Sequence, residues 1–178
     1  HLIDGGVHGL FVAGTTGEFY GLDPDEKRAI YMTAVDEVKG RVPVYAGTNG
    51  ITTRETVMLT QLAEECMVDA ISVLTPMFIA PAQAQLIRHY TTIAENTSLP
   101  LILYNNPPKT SVHLEPETVA ELAEIPNIAG IKDSSGDMTV TAEYIRLTRH
   151  NDNFSVLTGR DTLIYGALCY GATGSVSS

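Results

Sequence analysis

Lys132 is the residue of this sequence whose position most clearly calls for a chemical explanation. It directly follows the apolar run Ile128–Ile131, although burying an unpaired ammonium group is energetically costly. One interpretation is an ion pair with a carboxylate, for which Asp133 and Asp161 are the candidates. The other is a desolvated, partly neutral amine that acts as a nucleophile. Lowering a lysine pKa by about three units costs roughly 4 kcal/mol, which a water-poor interior can impose.

Tyr104 is a second residue whose position suits chemistry. It ends the apolar run Leu101–Leu103 and precedes Asn105-Asn106-Pro107-Pro108, a strong signal for the end of a strand. A tyrosine at a strand end is often a core residue whose hydroxyl has a hydrogen-bond partner. Next to an amine nucleophile, however, a phenol can shuttle protons. Taken alone, this segment leaves both interpretations open.

A turn rich in hydrogen-bond donors follows an early apolar run, at Gly14-Thr15-Thr16-Gly17-Glu18. Its small residues expose backbone N–H groups and its two hydroxyls add donors, an arrangement that suits a carboxylate ligand. The turn lacks the Gly-Lys-Ser/Thr of a P-loop and does not match the dinucleotide-binding fingerprint. A tight connection between a strand and a helix is the alternative interpretation.

Seven short apolar runs indicate the strands that must position these residues. They are Gly9–Ala13, Val42–Ala46, Ala70–Leu74, Leu99–Tyr104, Ile128–Ile131, Phe154–Leu157 and Ala172–Val176. They lack alternation of polar and apolar residues, as expected for parallel strands buried on both faces. Successive runs lie about 20 to 35 residues apart, roughly the size of a strand–helix–strand unit.

The segments between the runs carry helix start signals. Asp23-Pro24-Asp25-Glu26 predicts an N-cap, a proline in the first turn and an acidic residue at the third helical position. Further helices are predicted to begin at Thr52 or Thr53, at Pro81, at Glu115-Pro116-Glu117 and at Asp161. Strands that alternate with helices in this way predict a parallel sheet.

Polar motifs follow nearly every predicted strand, which favours a barrel over an open doubly wound sheet. The motifs are Gly14–Gly17, Gly47–Gly50, Thr75-Pro76, Asn105–Pro107, Lys132–Ser134 and Gly159–Asp161. A barrel brings all strand ends to one mouth, where barrel enzymes place their sites, and a typical one has about 250 residues. We therefore expect an α/β fold, a TIM (β/α)₈ barrel that is incomplete, without its first strand and C-terminal helices.

The chain is interpreted as one domain, residues 1–178, truncated at both ends. It opens without Met at His1–Asp4, which has the character of a last helical turn. It closes at Gly174–Ser178, which has the character of a strand cut short. We expect it to be part of a longer protein.

Composition argues against several classes of function. Of 178 residues, 44% are hydrophobic and 18% are charged, as in ordinary globular domains. The net charge of −10 disfavours nucleic acid as a partner, because phosphates require a basic surface. No apolar run approaches the roughly 18 residues of a membrane span. The five histidines show no metal-ligand spacing.

Cys66 and Cys169 are expected to be reduced and packed, as in a cytoplasmic protein.

Three motifs together resemble one known family. They are Gly-Thr-Thr-Gly-Glu at 14–18, Tyr-Asn-x-Pro at 104–107 and Gly-Ile-Lys-Asp at 130–133. Their order and spacing are similar to those of the dihydrodipicolinate synthase/N-acetylneuraminate lyase family of Schiff-base-forming class I aldolases. The resemblance runs from about Gly5 to the end of the chain, and the combined motifs are far more specific than any one of them.

The resemblance implies a role for each motif. Lys132 would form a Schiff base with a 2-keto acid, and Tyr104 would shuttle protons during imine formation and the aldol step. Thr15 and Thr16 would hold the keto-acid carboxylate, with Thr16 also linked to Tyr104 as a catalytic residue. The other substrate-binding positions would be Lys109, Ser134, Gly159, Asp161, Thr162, Gly174 and Ser175.

The chain departs from the usual pattern of the family's synthases. Phe78 stands where they usually have a second tyrosine, lent to the neighbouring subunit's proton relay. Lys109 stands where they usually have an arginine that steers the second substrate's carboxylate; lysine keeps the charge but loses the bidentate fork. Phe19 and Tyr20 replace small residues that match the lysine-inhibition site.

These departures favour an aldolase or lyase that acts on a hydroxylated 2-keto acid, built from a pyruvate moiety and an aldehyde. No cofactor or metal is implied. Arg160 beside Asp161 suits a polar, acidic substrate tail. One alternative is dihydrodipicolinate synthase proper, condensing pyruvate with aspartate semialdehyde; another is a non-catalytic keto-acid-binding barrel. The resemblance also implies a homotetramer for the full-length protein, with neither nucleic acid nor membrane as a partner.

Overall fold

The sheet of this protein consists of seven parallel strands in chain order. The computed structural model describes residues 1–178. The strands are β1 (Leu10–Val12), β2 (Val44–Gly47), β3 (Ala70–Leu74), β4 (Leu101–Asn105), β5 (Ile128–Asp133), β6 (Ser155–Thr158) and β7 (Gly174–Ser175). Each lies within or overlaps one of the seven apolar runs, so the strand prediction is confirmed.

Helices fill the connections between the strands. They are α1 (Pro24–Val38), α2 (Thr53–Glu65), α3 (Gln83–Ala94), α4 (Pro107–Thr110), α5 (Pro116–Leu122), α6 (Met138–Thr148) and α7 (Ile164–Tyr170), with 3₁₀ turns at Phe19–Gly21 and Asp161–Leu163. None of these helices combines the length and the apolar character that a membrane span requires.

The predicted helix starts are mostly confirmed. Asp23 and Glu26 form a reciprocal capping box, in which each side chain accepts a hydrogen bond from the other residue's backbone N–H. Thr52 caps α2 by accepting from the N–H of Glu55. Asp161 is a correction: it opens a 3₁₀ turn, and α7 begins three residues later at Ile164.

Helix α6 was not predicted, although its start signal is present in the sequence. The carboxylate of Asp137 accepts a hydrogen bond from the N–H of Thr139 and caps the helix. This cap ends the polar segment Ser134–Asp137. Because the segment has the composition of a turn, the helix start was not recognised.

The sheet is an incomplete (β/α)₈ barrel. Each strand pairs with its neighbours in sequence, whereas β1 pairs only with β2 and β7 only with β6, so the sheet is open between β1 and β7. The β4–β5 ladder contains one irregularity. Leu101 is opposite Ile128, but Ile102 is opposite Gly130, so β5 carries one extra residue, Ala129.

The main core lies between the sheet and the helices, as one cluster of 26 buried residues. Tyr31, Tyr90 and Tyr144 are fully buried in it. Their hydroxyls donate to the backbone carbonyls of Gly47, Val73 and Leu114, respectively. A buried hydroxyl with such a partner avoids the penalty of an unsatisfied polar group. Each tyrosine therefore joins a helix to a strand or loop.

Both cysteines are free, as predicted, but they differ in exposure. Cys66 is buried at the end of α2, whereas Cys169 is exposed on α7. The prediction that both are packed is therefore wrong for Cys169. The helix α7 has only seven residues and presents several apolar residues to the surface, so its sequence did not reveal which face is buried.

Candidate active site

A cavity of about 790 Å³ lies on the face of the sheet that points away from the helices. Inward-facing residues from β1 to β7 line it, together with the turns that follow the strands. The predicted site residues in this lining are Thr15, Thr16, Tyr104, Lys132, Ser134, Gly159, Gly174 and Ser175. The structure thus brings these eight residues together around one cavity.

Lys132 lies inside this cavity without a carboxylate partner. Its side chain is 8% exposed, and it takes part in none of the protein's salt bridges. Burial lowers the pKa of the amine, and the neighbouring Tyr104 only partly opposes this effect. Of the two interpretations of Lys132, the structure favours the desolvated amine over the ion pair.

Asp133 shows why the ion pair does not form. Successive residues of a strand point to opposite faces, so Asp133 faces the helices while Lys132 faces the cavity. The buried carboxylate accepts hydrogen bonds from Asn105 Nδ2 at 2.9 Å and from Thr141 Oγ1 at 2.6 Å. Ser135 donates to it through both its N–H and its hydroxyl, each at 3.0 Å. Asp161, the other candidate partner, is exposed.

Tyr104 and Lys132 are directly opposite each other in β4 and β5. Nζ of Lys132 lies 4.2 Å from the centroid of the Tyr104 ring. The Tyr104 hydroxyl accepts a hydrogen bond from Asn106 Nδ2 at 3.0 Å and one from Thr15 Oγ1 at 3.4 Å. Burial alone would raise the pKa of this phenol, but the charge of Lys132 and the hydrogen bond from Thr15 lower it.

The turn after β1 supplies the threonine of this network. Thr15 is half-buried and reaches the Tyr104 hydroxyl, whereas Thr16 is exposed at the edge of the cavity. The predicted link between Thr16 and Tyr104 is therefore wrong, and Thr15 makes it instead. The error arose because two adjacent threonines in a turn have no periodicity that tells which one points inward.

Gly159 leaves room for the side chains of Ser134 and Lys132. A Cβ at residue 159 would lie 2.1 Å from Ser134 Oγ and 2.9 Å from Lys132 Cε. Both distances are shorter than the contacts that non-bonded atoms normally make. Because Gly159 follows β6, the strand next to β5, the missing side chain leaves the space through which the lysine enters the cavity.

Three of the predicted substrate-binding residues are not part of the cavity lining. Lys109 is exposed on the short helix α4, and Asp161 and Thr162 are exposed in the 3₁₀ turn before α7. They lie on elements that follow β4 and β6, and thus at the rim rather than around Lys132. Any contact that they make is with a part of a substrate that extends out of the cavity.

Sequence reasoning missed two residues of the site. Phe11 lies in β1 and faces Lys132, whose Nζ is 4.9 Å from the ring centroid. Asn106 was interpreted only as part of the signal that ends the strand, yet its side-chain amide donates a hydrogen bond to the Tyr104 hydroxyl. Strands buried on both faces lack alternation, so the sequence gives no signal for which β1 side chain enters the cavity.

Phe78, which replaces the expected tyrosine, lies outside the cavity. Its side chain is 93% exposed in the loop after β3, with a positive φ of 79°. The neighbouring Ile79 is also exposed. No cluster of three or more histidine, cysteine, aspartate or glutamate side chains is arranged to hold a metal ion.

Comparison with known proteins agrees with this geometry. The sequence model of the Dihydrodipicolinate synthetase family matches residues 1–178. The 4-hydroxy-tetrahydrodipicolinate synthase of Desulforudis audaxviator is 44% identical over 177 residues, which are 99% of this chain and 60% of that protein. The Bacillus subtilis enzyme of the same name is 43% identical over 178 residues, 99% of this chain and 61% of that protein.

Solved structures give the same result. YagE, a prophage protein of the dihydrodipicolinic acid synthase family from E. coli K12 in complex with pyruvate, matches with a TM-score of 0.95 and 38% identity. Dihydrodipicolinate synthase DapA-2 from Bacillus anthracis matches with a TM-score of 0.96 and 42% identity. Each match covers 99% of this chain and 60% of the other, so the chain spans about three fifths of these relatives. From its sequence and its fold, this chain belongs to the dihydrodipicolinate synthetase family.

Proposed function

We propose that the full-length protein containing this chain is a class I aldolase, a lyase that joins Lys132 to a pyruvate-type 2-keto acid as a Schiff base. One observation carries the proposal: Lys132 is a buried amine without a carboxylate partner, next to the phenol of Tyr104. Burial lowers the pKa of this amine, and a larger neutral fraction makes an amine a better nucleophile. The pyruvate bound to YagE, a related protein of the same family, supports pyruvate as the keto-acid part.

The chemistry begins with addition of neutral Lys132 Nζ to the ketone carbon. The new C–N bond gives a carbinolamine, and proton transfer to its oxygen lets water leave, so that a protonated imine remains. The imine withdraws electrons from the neighbouring carbon, which loses a proton to give an enamine. The enamine carbon attacks an aldehyde; in the reverse direction, cleavage of that C–C bond releases the aldehyde.

Tyr104 is the proposed proton carrier in these steps. Its hydroxyl is held by Asn106 and Thr15 and belongs to the same cavity as Lys132. A phenol with a lowered pKa gives up and regains a proton more readily than an ordinary tyrosine. Thr15 thus has two proposed roles, in the proton path and in the carboxylate site.

The turn Gly14–Gly17 is the proposed binding site of the keto-acid carboxylate. Its backbone N–H groups and the hydroxyls of Thr15 and Thr16 are the donors at this edge of the cavity. Ser134, Gly159, Gly174 and Ser175 would surround the rest of the bound keto acid. The rim residues Lys109, Asp161 and Thr162 would contact the part that varies between substrates.

Two reactions are compatible with this site. The absence of a tyrosine hydroxyl at Phe78 and the lysine at position 109 favour an aldolase or lyase of hydroxylated 2-keto acids over the synthase. The names of the relatives that are 40–45% identical favour 4-hydroxy-tetrahydrodipicolinate synthase, which condenses pyruvate with aspartate semialdehyde. Turnover of pyruvate plus aspartate semialdehyde, measured against a panel of 2-keto-3-deoxy acids, separates the two.

Trapping with borohydride tests the Schiff base itself. Incubation of the full-length protein with pyruvate and sodium borohydride should reduce the imine and add the mass of the reduced adduct to the peptide that contains Lys132. Lys132→Arg should abolish the adduct, and Lys39→Arg, at an exposed position outside the cavity, should keep it, as the matched control. If the Lys132 peptide of the wild-type protein stayed unmodified, the Schiff-base proposal would be wrong. The alternative, a non-catalytic keto-acid-binding barrel, would then remain.

The cellular location and the oligomeric state of the protein are also proposals. We infer a cytoplasmic homotetramer, on the basis of the family resemblance and of the exposed apolar residues Phe78 and Ile79 after β3. Sedimentation of the full-length protein gives its mass in solution, and a monomeric mass would contradict the inference.

A further inference from the structure

Phe11 takes part in the site although no motif contains it. It lies in the middle of β1 and lines the cavity, whereas the next residue, Val12, faces a groove along α1. Its ring is nearly perpendicular to that of Tyr104, with an interplanar angle of 77° and centroids 6.4 Å apart. Nζ of Lys132 lies over both rings, 4.9 Å from the Phe11 centroid and 4.2 Å from that of Tyr104.

The position of the Phe11 ring is built into the turn that follows. A Cβ at Gly14 would lie 2.7 Å from Cε1 of Phe11. The glycine therefore leaves the space that the ring occupies between the turn and Lys132. The ring is held from one side by the same segment that carries Thr15.

We propose that the ring of Phe11 stabilises the positive charge on the Schiff-base nitrogen of Lys132. This inference rests on the proposed function. The face of an aromatic ring is negative and attracts a cation within about 6 Å of its centroid. The imine nitrogen is the former Nζ, so it stays near the ring. No carboxylate of the protein forms an ion pair with this nitrogen, so the aromatic faces of Phe11 and Tyr104 are the protein groups that compensate its charge.

The charge balance decides which step is affected. The neutral amine and the ketone group of pyruvate, whose carboxylate stays ionised throughout, take up one proton and release water, and the iminium nitrogen carries the gained charge. Formation of the enamine removes that charge again. The Phe11 ring therefore favours the iminium over both the free amine and the neutral enamine, and the equilibrium between amine and iminium is where its effect is measured.

A fluorination series at position 11 tests the proposal in the full-length protein. Replacement of Phe11 by 4-fluoro-, 3,5-difluoro- and 3,4,5-trifluorophenylalanine weakens the negative ring face stepwise with little change in size. Fitting the pH profile of imine formation with pyruvate gives the equilibrium constant for the step in which the neutral Lys132 amine, pyruvate and one proton yield the iminium and water. We expect it to fall stepwise, by about tenfold in total, in line with cation–π contributions at buried sites.

The controls separate electrostatics from packing. The same fluorinated residues at Phe154, a core position outside the cavity, should leave the constant unchanged. Phe11→Leu keeps an apolar side chain and should lower the constant at least as much as trifluorination. Equal constants across the position-11 series would overturn the role of Phe11. Absence of any adduct in the wild-type protein would instead overturn the Schiff-base function.

Discussion

Tyr104 and Lys132 are opposite residues of two neighbouring parallel strands, and Nζ of Lys132 lies 4.2 Å from the centre of the Tyr104 ring. Their proximity is thus determined by the backbone ladder of β4 and β5 and not by a flexible loop. Groups held by paired strands keep their separation with little reorganisation, as catalysis requires.

Removal of the Tyr104 hydroxyl should slow imine formation without unfolding the protein. In Tyr104→Phe the ring keeps its packing against Phe11 and Phe19, but the proton carrier is lost. We expect the rate of adduct formation with pyruvate to fall by about 10²–10⁴-fold, the usual contribution of general acid–base catalysis.

Tyr144→Phe is the matched control. This tyrosine is buried in α6 and donates to the Leu114 carbonyl, away from the cavity. Its loss should cost about 1 kcal/mol of unfolding free energy and leave the rate of adduct formation unchanged. Equal rates for wild type and Tyr104→Phe in stopped-flow measurements would exclude the proton-carrier role.

A side chain at position 159 should displace the lysine. In Gly159→Ala the new Cβ would lie 2.1 Å from Ser134 Oγ and 2.9 Å from Lys132 Cε, so the side chains of Ser134 and Lys132 must shift. We expect at least about a hundredfold loss of adduct formation, as for other small misplacements of reacting groups.

Gly166→Ala provides the control for that substitution. Gly166 lies within α7, and no atom lies within 4 Å of a Cβ added there. Alanine in a helix interior should stabilise the protein by up to about 1 kcal/mol, with normal adduct formation. If Gly159→Ala reacted as fast as Gly166→Ala, the space beside Lys132 would not matter for reactivity.

Asp133 should contribute to stability, because its buried carboxylate collects donors from three residues. Asp133→Ala leaves Asn105 Nδ2 without its partner and removes the shorter of the two hydrogen bonds of Thr141 Oγ1. We expect the free energy of unfolding in urea to fall by about 3 kcal/mol. Asp137→Ala removes only an exposed helix cap and should cost about 1 kcal/mol. Similar losses for the two variants would contradict the importance of the buried network.

His89 should make the protein less stable in mild acid. It is buried in α3, accepts or donates one hydrogen bond at Nδ1 with Thr53, and has no partner at Nε2. Burial lowers its pKa from 6.5 to about 4. Between these values the unfolded chain binds more protons than the folded one. The contribution of His89 should therefore be lost as the pH drops below 6.5, by about 3 kcal/mol in total, with no further loss from this residue below about 4.

The pH dependence is measured by urea unfolding of wild type, His89→Phe and His150→Gln. His89→Phe should lose most of this acid sensitivity, whatever its stability at neutral pH. His150 is exposed and paired with Glu124, so His150→Gln should keep the wild-type slope. An unchanged slope in His89→Phe would show that other groups cause the acid effect.

The sequence carried enough information for the sheet and for its central pair. Apolar runs without alternation identified every strand, and Lys132 and Tyr104 each ended such a run. Because parallel strands end on the same side, their proximity follows from topology. The direction of Asp133 also follows from strand alternation, although the sequence interpretation kept it as an ion-pair candidate.

Other features depend on contacts that the sequence does not encode locally. Thr15 rather than Thr16 reaches Tyr104 because of the shape of a single turn. Phe11 enters the cavity because its side of β1 faces the barrel interior. In a strand that is apolar on both sides, the sequence does not show which side faces inward. The role of Gly159 depends on a neighbour 27 positions earlier in the chain, Lys132, which only the sheet brings close.

The extra residue in β5 has a consequence for reactivity. In a regular ladder that started at Leu101 and Ile128, Ile131 would be opposite Tyr104, and the lysine would point to the helix side. Ala129 shifts the phase of the strand by one residue, although it is not in the cavity lining. The number of residues between Ile128 and Lys132 is therefore as much a chemical requirement as the identity of the amine.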